Sequence, residues 1–403
     1  MNNSIATSKT IKLNFNKITG MKAIIFCFFI ICLFGCQIRE RSNTQIISIP
    51  VNSQEVGEFG KISDVLIPIK YIELENEGGR FIGRIDKIEY LDNIFIILDR
   101  INMQVIGFDG DGNHRFTYDN EGEGPGEFRH LIDITVDRKK EQIFILDQSK
   151  IITLDRNGHF INEVKLTHGG LGFEYAESSG EFYMLLGRGH PMLVGKINID
   201  GHMVDDFIEK DNLNRMLNKE SLFKDGDDVF LNLYLNDTVY KVSSNGVLPN
   251  VYLDFDKKIK PEIYDYLNKD YSIEKILEVL PHTMSNINFF RRVNEKFFGV
   301  FHYQDQMHWM IACPGDGGEM ITKVYNVSKT QNDLSFEEQL EMPISVDRQG
   351  HLIFVLNPES LNPENLENFL TAHPTAKSFK ESLLNMRESA INPFLMISEI
   401  IAE

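Results

Sequence analysis

Two histidines in the last third of the chain are the residues whose types and spacing could best hold a ligand. His302 and His308 stand at the facing ends of two apolar, strand-like runs that are separated by residues 304–306. A three-residue loop over 304–306 would place the two histidines directly opposite each other, with Cβ atoms about 5 Å apart. Imidazoles so paired could share a divalent metal or an anionic group, and Asp305 is the nearest candidate for a further metal ligand. The alternative is a solvated histidine pair that binds nothing.

Other segments with suggestive residues do not match catalytic or metal-binding motifs. The sequence contains no G-x-S-x-G, Walker, H-E-x-x-H or C-x-x-C motif. Gly122–Gly126 precedes a strand instead of opening a helix, which predicts a connector between structural units. Asp109–Asn113 begins like a calcium loop, but His114 stands where glycine is needed, so a hairpin turn is favoured. We therefore assign no catalytic residue and expect no cofactor.

The composition indicates a large core and argues against one class of partner. Hydrophobic residues make up 42% of the 403 residues, and 29 of them are Phe, which is enough apolar surface for a full core. The formal net charge of −18 disfavours nucleic acid, because binding to phosphates relies on clustered Lys and Arg. It also disfavours electrostatic docking on an anionic bilayer, so we expect membrane contact only through a covalent anchor.

The first 35 residues predict a signal peptide of the lipoprotein type. Basic residues up to Lys22 precede an uncharged apolar run from Ile24 to Phe34, which has signal-peptide length and is shorter than a membrane span. The run ends in Leu-Phe-Gly-Cys, which resembles the bacterial lipobox and makes Cys36 the expected lipidation site. An ordinary signal peptide with an incidental cysteine is the alternative. We expect an exported chain, anchored by lipid in the cell envelope, in the periplasm or on a leaflet of the outer membrane.

The rest of the chain repeats one short β-rich phrase six times. Each copy is an apolar run rich in β-branched and aromatic residues, and a second strand with a Gly-containing turn usually follows it. The copies lie at 93–99, 142–147, 181–186, 228–233, 296–301 and 351–356. Around the first copy the pattern predicts a four-stranded unit over 84–118. Such units, repeated at irregular intervals, predict an all-β fold, a six-bladed β-propeller with four-stranded antiparallel blades.

Two strands outside the repeats predict how the ring closes. Without closure, the first and last blades would expose open sheet edges. Residues 64–74 predict a strand ahead of blade one, and residues 392–400 predict another after the last repeat. We expect both strands to join the sixth blade, which ties the two ends of the chain together.

These strands also set the expected domain boundaries. The propeller is predicted over 61–403, after a linker at 36–60. Helical patterning between strands predicts small insertions at 260–280 and 362–388.

Several short motifs resemble those of a known family. The segments Tyr71–Leu74, Ile82–Asp86 and Phe95–Asp99, the loop Gly122–Phe128, and the pair Asn392-Pro393 look like a family of Bacteroidetes six-bladed β-propeller lipoproteins. The Gly122–Phe128 loop is also similar to the connector between blades in NHL repeats. The resemblance covers nearly all of residues 60–400. It implies the fold, export and lipidation, and no particular activity.

The propeller would gather charged side chains on one face. Connectors between the second and third strands of a blade share a face with the connectors between blades, and this face usually binds the ligand. It would carry Arg100, Arg188 and His190 together with His302 and His308. We expect a non-catalytic binding or scaffolding module for a glycan, a peptide or another envelope partner. The alternative is a propeller enzyme, a lyase or a metal-assisted hydrolase, with a histidine site on that face.

Overall fold

The computed structural model of the protein describes residues 46–57, 60–76, 81–218, 220–269, 272–335, 337, 339–340, 342–358 and 392–401. Within these ranges, six antiparallel sheets surround a central channel. Each sheet contains a blade of four antiparallel strands, a to d, that follow one another from the channel to the periphery, and two of the sheets carry a fifth strand at the outer edge. The predicted six-bladed β-propeller is thereby confirmed.

Blades one to three use consecutive strands of the chain. Blade one consists of β4 (Lys87–Leu91), β5 (Ile94–Asp99), β6 (Gln104–Asp109) and β7 (His114–Tyr118). Blade two consists of β8 (Asp133–Asp137), β9 (Gln142–Leu146), β10 (Lys150–Asp155) and β11 (Phe160–Lys165). Blade three consists of β12 (Gly170–Ala176), β13 (Glu181–Leu186), β14 (Met192–Ile197) and β15 (Met203–Glu209).

Blades four to six also recruit strands from the start of the chain, namely β1 (Ile47–Val51), β2 (Val56–Gly57) and β3 (Leu66–Glu73). Blade four consists of β16 (Leu222–Asp225), β17 (Asp228–Asn232), β18 (Thr238–Ser243) and β19 (Gly246–Phe255), with β1 added at its edge. Blade five consists of β20 (Ser285–Val293), β21 (Lys296–Tyr303), β22 (Gln306–Pro314) and β23 (Met320–Asn326), with β2 added at its edge. Blade six consists of β24 (Ser345–Val346), β25 (Leu352–Leu356), β26 (Phe394–Ile400) and β3.

The six predicted repeats are the b strands of the six blades. A b strand is apolar at successive positions because both of its faces pack against neighbouring blades. All residues of β5 are buried, for example, and Trp309 of β22 packs between Phe298 of its own blade and Phe354 of blade six. The core is therefore a set of layers between blades, which explains why the repeat lacks strict alternation.

The ring closes through blade six, as predicted. Strand β3 pairs antiparallel with β26, from Leu66 opposite Ile400 to Glu73 opposite Phe394. The amide of Ile401 extends this ladder by donating to the carbonyl of Val65 at 2.9 Å. The first and last described parts of the propeller thus share one sheet, which removes the open edges.

The linker predicted at 36–60 needs correction in its second half. Strand β1 runs parallel along β19, and β2 runs parallel along β23. Ile49 and Val51 are buried between these strands, and the amide and hydroxyl of Ser53 donate to the carboxylate of Asp256 at 2.9 and 2.6 Å. Alternating apolar residues therefore attach this segment to the blades.

The connectors at the two ends of the channel differ in length. Turns between a and b strands are short, from the two residues 92–93 to the five residues 347–351. Connectors between blades reach the length of 256–284, which holds the helices α1 (Pro261–Lys269) and α2 (Ile273–Val279). This confirms the first predicted insertion, whereas the second, at 362–388, lies outside the described residues. Within the described part of the chain, no helix is long and apolar enough to cross a bilayer.

Candidate functional site

The channel widens toward the face that carries the a–b turns. A cavity of about 620 Å³ opens there, and all six a strands or the turns that follow them contribute to its wall. A smaller cavity of about 160 Å³ lies at the other end, where the connectors between blades enter the a strands. We refer to these as the a–b cavity and the connector cavity. The larger one falls within the size range of ligand pockets.

A cluster of buried charges separates the two cavities. The Lys87 ammonium group on β4 lies 2.8 Å from a carboxylate oxygen of Glu174 on β12, 3.1 Å from Asp133 on β8 and 3.6 Å from Glu89. Lys224 on β16 lies 3.9 Å from Glu89 and donates to a backbone carbonyl of β8 at 2.8 Å. The cluster therefore ties together the a strands of blades one to four.

This cluster holds more carboxyl groups than ammonium groups. Glu89, Asp133 and Glu174 face Lys87 and Lys224, so full ionisation would leave an excess negative charge in a buried place. Burial raises the pKa of Glu174 to about 7, against the attraction of Lys87. Burial also opposes the ionisation of Glu89, but Lys224 and Lys87 outweigh it and lower the pKa of Glu89. A proton on Glu174 would therefore relieve the excess charge as the pH falls below about 7.

The rim of the a–b cavity carries further charged side chains. Arg138 lies 3.6 Å from Glu177, and its guanidinium donates to the carbonyl of Gly226 at 3.0 Å. Arg292 and Arg348 are exposed on the a–b side of blades five and six. Altogether seven Lys or Arg and seven Asp or Glu side chains line this cavity, so donors and acceptors are balanced.

Arg100 is the predicted ligand-face residue that reaches the channel. It lines the connector cavity, and its guanidinium and amide both donate to the carboxylate of Asp86 at 2.9 Å. Arg291 closes the same end from blade five, with its guanidinium 3.0 Å from Glu220 and stacked over the ring of Phe223. These ion pairs occupy the narrow end of the channel.

The predicted pairing of His302 with His308 is wrong by one residue. Strands β21 and β22 are joined by a two-residue turn, in which Gln304 and Asp305 have φ angles of 52° and 57°. Two positive φ values are the signature of a type I′ hairpin. His302 therefore pairs with Met307, and His308 pairs with Phe301.

This register sends the two histidine rings to opposite faces of blade five. Phe301 belongs to the layer shared with blade four, and its ring stacks on His308 at 5.6 Å between centroids. Met307, the partner of His302, packs in the layer shared with blade six. Burial lowers the pKa of both histidines. Among the described residues no group of three His, Cys, Asp or Glu side chains is placed to hold a metal.

The remaining predicted ligand-face residues lie apart from the channel. Arg188 is exposed in the b–c loop of blade three. His190 in the same loop packs edge-to-face on His168, with centroids 5.1 Å apart, and lies 3.9 Å from Asp206 on the outermost strand. The structure therefore does not gather the five predicted residues into one site.

Sequence reasoning missed the charged a strands. Lys87 and Glu89 alternate with buried apolar residues in β4, and Asp133 and Thr135 do the same in β8. Charges at every second position of an innermost strand point to one face, and in a propeller that face is the channel wall. The alternation of polar and apolar residues in these strands could therefore have identified the channel wall from the sequence.

Comparisons with known proteins agree with the fold. Residues 46–399 match the family described as "Domain of unknown function (DUF4934)". A structure from Bacteroides fragilis NCTC 9343, of a protein named as exported, is similar with a TM-score of 0.69, 16% identity, and coverage of 89% of this chain and 100% of that one. A DUF4221 family member from Bacteroides vulgatus ATCC 8482 is similar with a TM-score of 0.51, 9% identity, and coverage of 84% and 98%. None of the curated proteins compared with the chain matches it significantly.

Proposed function

Since this chain belongs to the DUF4934 family, whose description names no activity, we propose from its channel that it is a non-catalytic binding module of the cell envelope. The observation that supports this is the a–b cavity of about 620 Å³, whose floor is fixed by ion pairs between the a strands. Walls held in this way suit recognition of a preformed shape, because they lose little conformational freedom when a ligand binds. The partner classes remain a glycan, a peptide or another envelope component.

The enzyme alternative loses the observation on which it depended. A lyase or metal-assisted hydrolase was suggested by two histidines that share a ligand, and these rings lie on opposite faces of blade five. The titratable groups at the floor of the a–b cavity are instead engaged with one another. We therefore carry the binding module forward as the proposal.

We further propose that the module is exported and held by lipid on Cys36. The support is in the sequence, where a basic start, the apolar run Ile24 to Phe34 and the Leu-Phe-Gly-Cys segment follow one another. Lipid chains contribute about 0.8 kcal/mol per buried CH₂, so two or three chains hold a protein on a bilayer in practice permanently.

The proposed lipid anchor is tested by fractionating cells that express variants in which one cysteine is replaced. Cys36→Ser should move the protein from the membrane fraction to the soluble fraction. Cys313→Ser is the matched control, since Cys313 is a free cysteine within the propeller, and this variant should stay with the membrane. A Cys36→Ser protein that remains on the membrane would show that the lipid anchor is wrong.

A further inference from the structure

A further cavity lies between blades four and five at the face that carries the a–b turns. Its volume is about 370 Å³, which is within the size range of ligand pockets. It shares Asp225, Gly226 and Arg292 with the wall of the a–b cavity, so the two cavities adjoin. We refer to it as the inter-blade cleft. A molecule that occupies the a–b cavity can therefore extend a group into this cleft.

Four phenylalanine rings form the inner walls of the inter-blade cleft. In blade four, Phe223 pairs with Phe230 across β16 and β17, and their rings stack with centroids 5.7 Å apart. In blade five, the rings of Phe290 and Phe297 stack with centroids 5.6 Å apart. All four rings belong to the apolar layer between these two blades or pack against it. The cleft is therefore lined by aromatic surface on both sides.

Charged side chains stand at the mouth of the cleft. Asp225 and Arg292 each follow a phenylalanine of their strand by two positions, which places them on the same faces as the rings. The amide of Arg292 donates to the carboxylate of Asp225 at 3.1 Å, so the two positions adjoin across the cleft. The Nε group of Arg292 donates to the carbonyl of Asn294 at 3.3 Å, and a guanidinium has four further N–H groups. The mouth thus combines a carboxylate acceptor with a guanidinium donor.

We propose that the inter-blade cleft receives an aromatic side chain of a peptide that lies in the a–b cavity. Each peptide residue carries one N–H donor and one C=O acceptor on its backbone. At the mouth, the carboxylate of Asp225 accepts from the N–H group and the guanidinium of Arg292 donates to the carbonyl, while the side chain enters between the phenylalanine rings. This inference rests on the proposed binding function, and it adds the class of partner and the kind of residue that is recognised.

The size and lining of the cleft favour an aromatic ring over other groups. An apolar cavity of about 150 Å³ already holds a benzene ring, so the cleft has room for a phenyl or indole group. Rings that meet in offset-stacked or edge-to-face pairs gain attraction beyond the area that they bury, which an aliphatic side chain does not. A sugar would have to bury its hydroxyl groups among rings that cannot satisfy their hydrogen bonds.

The test is calorimetric titration of tripeptides Ala-X-Ala with blocked ends, in which X is Trp, Phe, Leu or Ala. We expect the wild type to bind the Trp or the Phe peptide roughly tenfold more tightly than the Ala peptide. Phe230→Ala should lose this preference, because it removes a half-buried ring from the wall of the cleft. Phe160→Ala is the matched control, since Phe160 is an exposed ring on the outermost strand of blade two, and it should bind as the wild type does.

A second variant tests the mouth of the cleft without removing a ring. Asp225→Ala takes away the proposed acceptor for the peptide N–H group, so the aromatic peptides should bind roughly tenfold more weakly. Because the four rings remain, the order of the four peptides should persist. Denaturant unfolding of each variant shows that a loss of binding is not a loss of the fold.

The other outcomes separate this inference from the proposed function. Equal binding of all four peptides by the wild type, or binding of none, would overturn the inference. A preference that survives in Phe230→Ala would show that the cleft is not the site. Short oligomers of glucose and of galacturonate, titrated in parallel, address the glycan class. Binding of an oligosaccharide without any peptide would leave the binding module standing, whereas failure of every peptide and every oligosaccharide would count against the module itself.

Discussion

The two ends of the channel are built from the same six a strands, yet one is open and the other is nearly filled. At the a–b end, turns as short as residues 92–93 leave a cavity of about 620 Å³. At the connector end, segments as long as 256–284 enter the strands, Arg100 and Arg291 pair with carboxylates, and about 160 Å³ remains. The difference comes from the connectors, because the strands are common to both ends.

This contrast shows that longer loops do not mark the open end of the channel in this propeller. Binding residues are generally concentrated on long loops that a rigid scaffold positions. Here the longer connectors occupy the space at their end, while the tight hairpins leave the channel accessible at theirs. We therefore place the candidate site on the side with the shorter turns. Three predictions test this comparison, beginning with the charged cluster between the two ends.

The largest effect is expected from Lys87→Met, which removes the cation between the two cavities. Its loss would leave Glu174, Asp133 and Glu89 facing one another without their shared partner. Removing one partner of a buried ion pair costs about 3–5 kcal/mol, so the free energy of unfolding should fall by a similar amount. Denaturant unfolding followed by tryptophan fluorescence measures it, because Trp309 is fully buried.

The matched control for this variant is Lys70→Met. Lys70 lies 2.6 Å from Asp111, but the two side chains are 44% and 80% exposed, and an exposed pair contributes about 0–1 kcal/mol. If Lys87→Met lowered the free energy of unfolding as little as Lys70→Met, the a strands would not depend on the charged cluster for their stability. The cluster would then not be the structural element that divides the channel into two cavities.

A smaller effect is expected in the pH dependence that Glu174 confers. Its pKa is raised from 4.5 to about 7 in the folded protein, so the folded state keeps a proton that the unfolded state releases earlier. The resulting stabilisation is complete below the unfolded pKa and is lost as pH rises through about 7. Between about pH 5 and 8 the wild type should lose stability relative to Glu174→Gln, as denaturant unfolding at a series of pH values would show. Parallel curves for the two proteins would mean that no proton is held in the cluster.

The smallest effect is expected at the connector side of blade five, from His302→Ala/His308→Ala. Because the two rings lie on opposite faces, they cannot jointly hold a metal in this register. Zn²⁺ should therefore shift the Tm of the wild type and of the double variant equally. If Zn²⁺ raised the Tm of the wild type but not that of the double variant, the result would support the predicted pairing of His302 with His308 and a metal site on the connector face.

The blades and their closure could be predicted from sequence because their signals are local. Each b strand, such as β5, is an apolar run that any propeller must bury on both sides. The closing strands were visible as isolated β-rich segments at 64–74 and 392–400, and both joined blade six. Asn392 supports this junction, since its side chain accepts from the amide of Ile82 at 2.9 Å and donates to the carbonyl of Glu75 at 3.0 Å.

The candidate site could not be predicted in the same way because its members are distant in sequence. Lys87, Asp133 and Glu174 meet only because successive blades place their a strands side by side around an axis. The histidine register failed for a different reason. A type I′ turn usually contains Asn or Gly, whereas this one uses Gln304 and Asp305, so the residues themselves gave no sign of a two-residue turn.

The strands at the start of the chain also constrain the timing of folding. Strand β1 pairs with β19, where Ile47 lies opposite Val251, and β3 pairs with β26, where Leu66 lies opposite Ile400. A chain that emerges from the ribosome N-terminus first therefore presents β3 long before its partner strand exists. Such distant pairings slow folding, because a long loop must be closed before the contacts form. The pairing that closes the ring can therefore form only once β26 is available to β3.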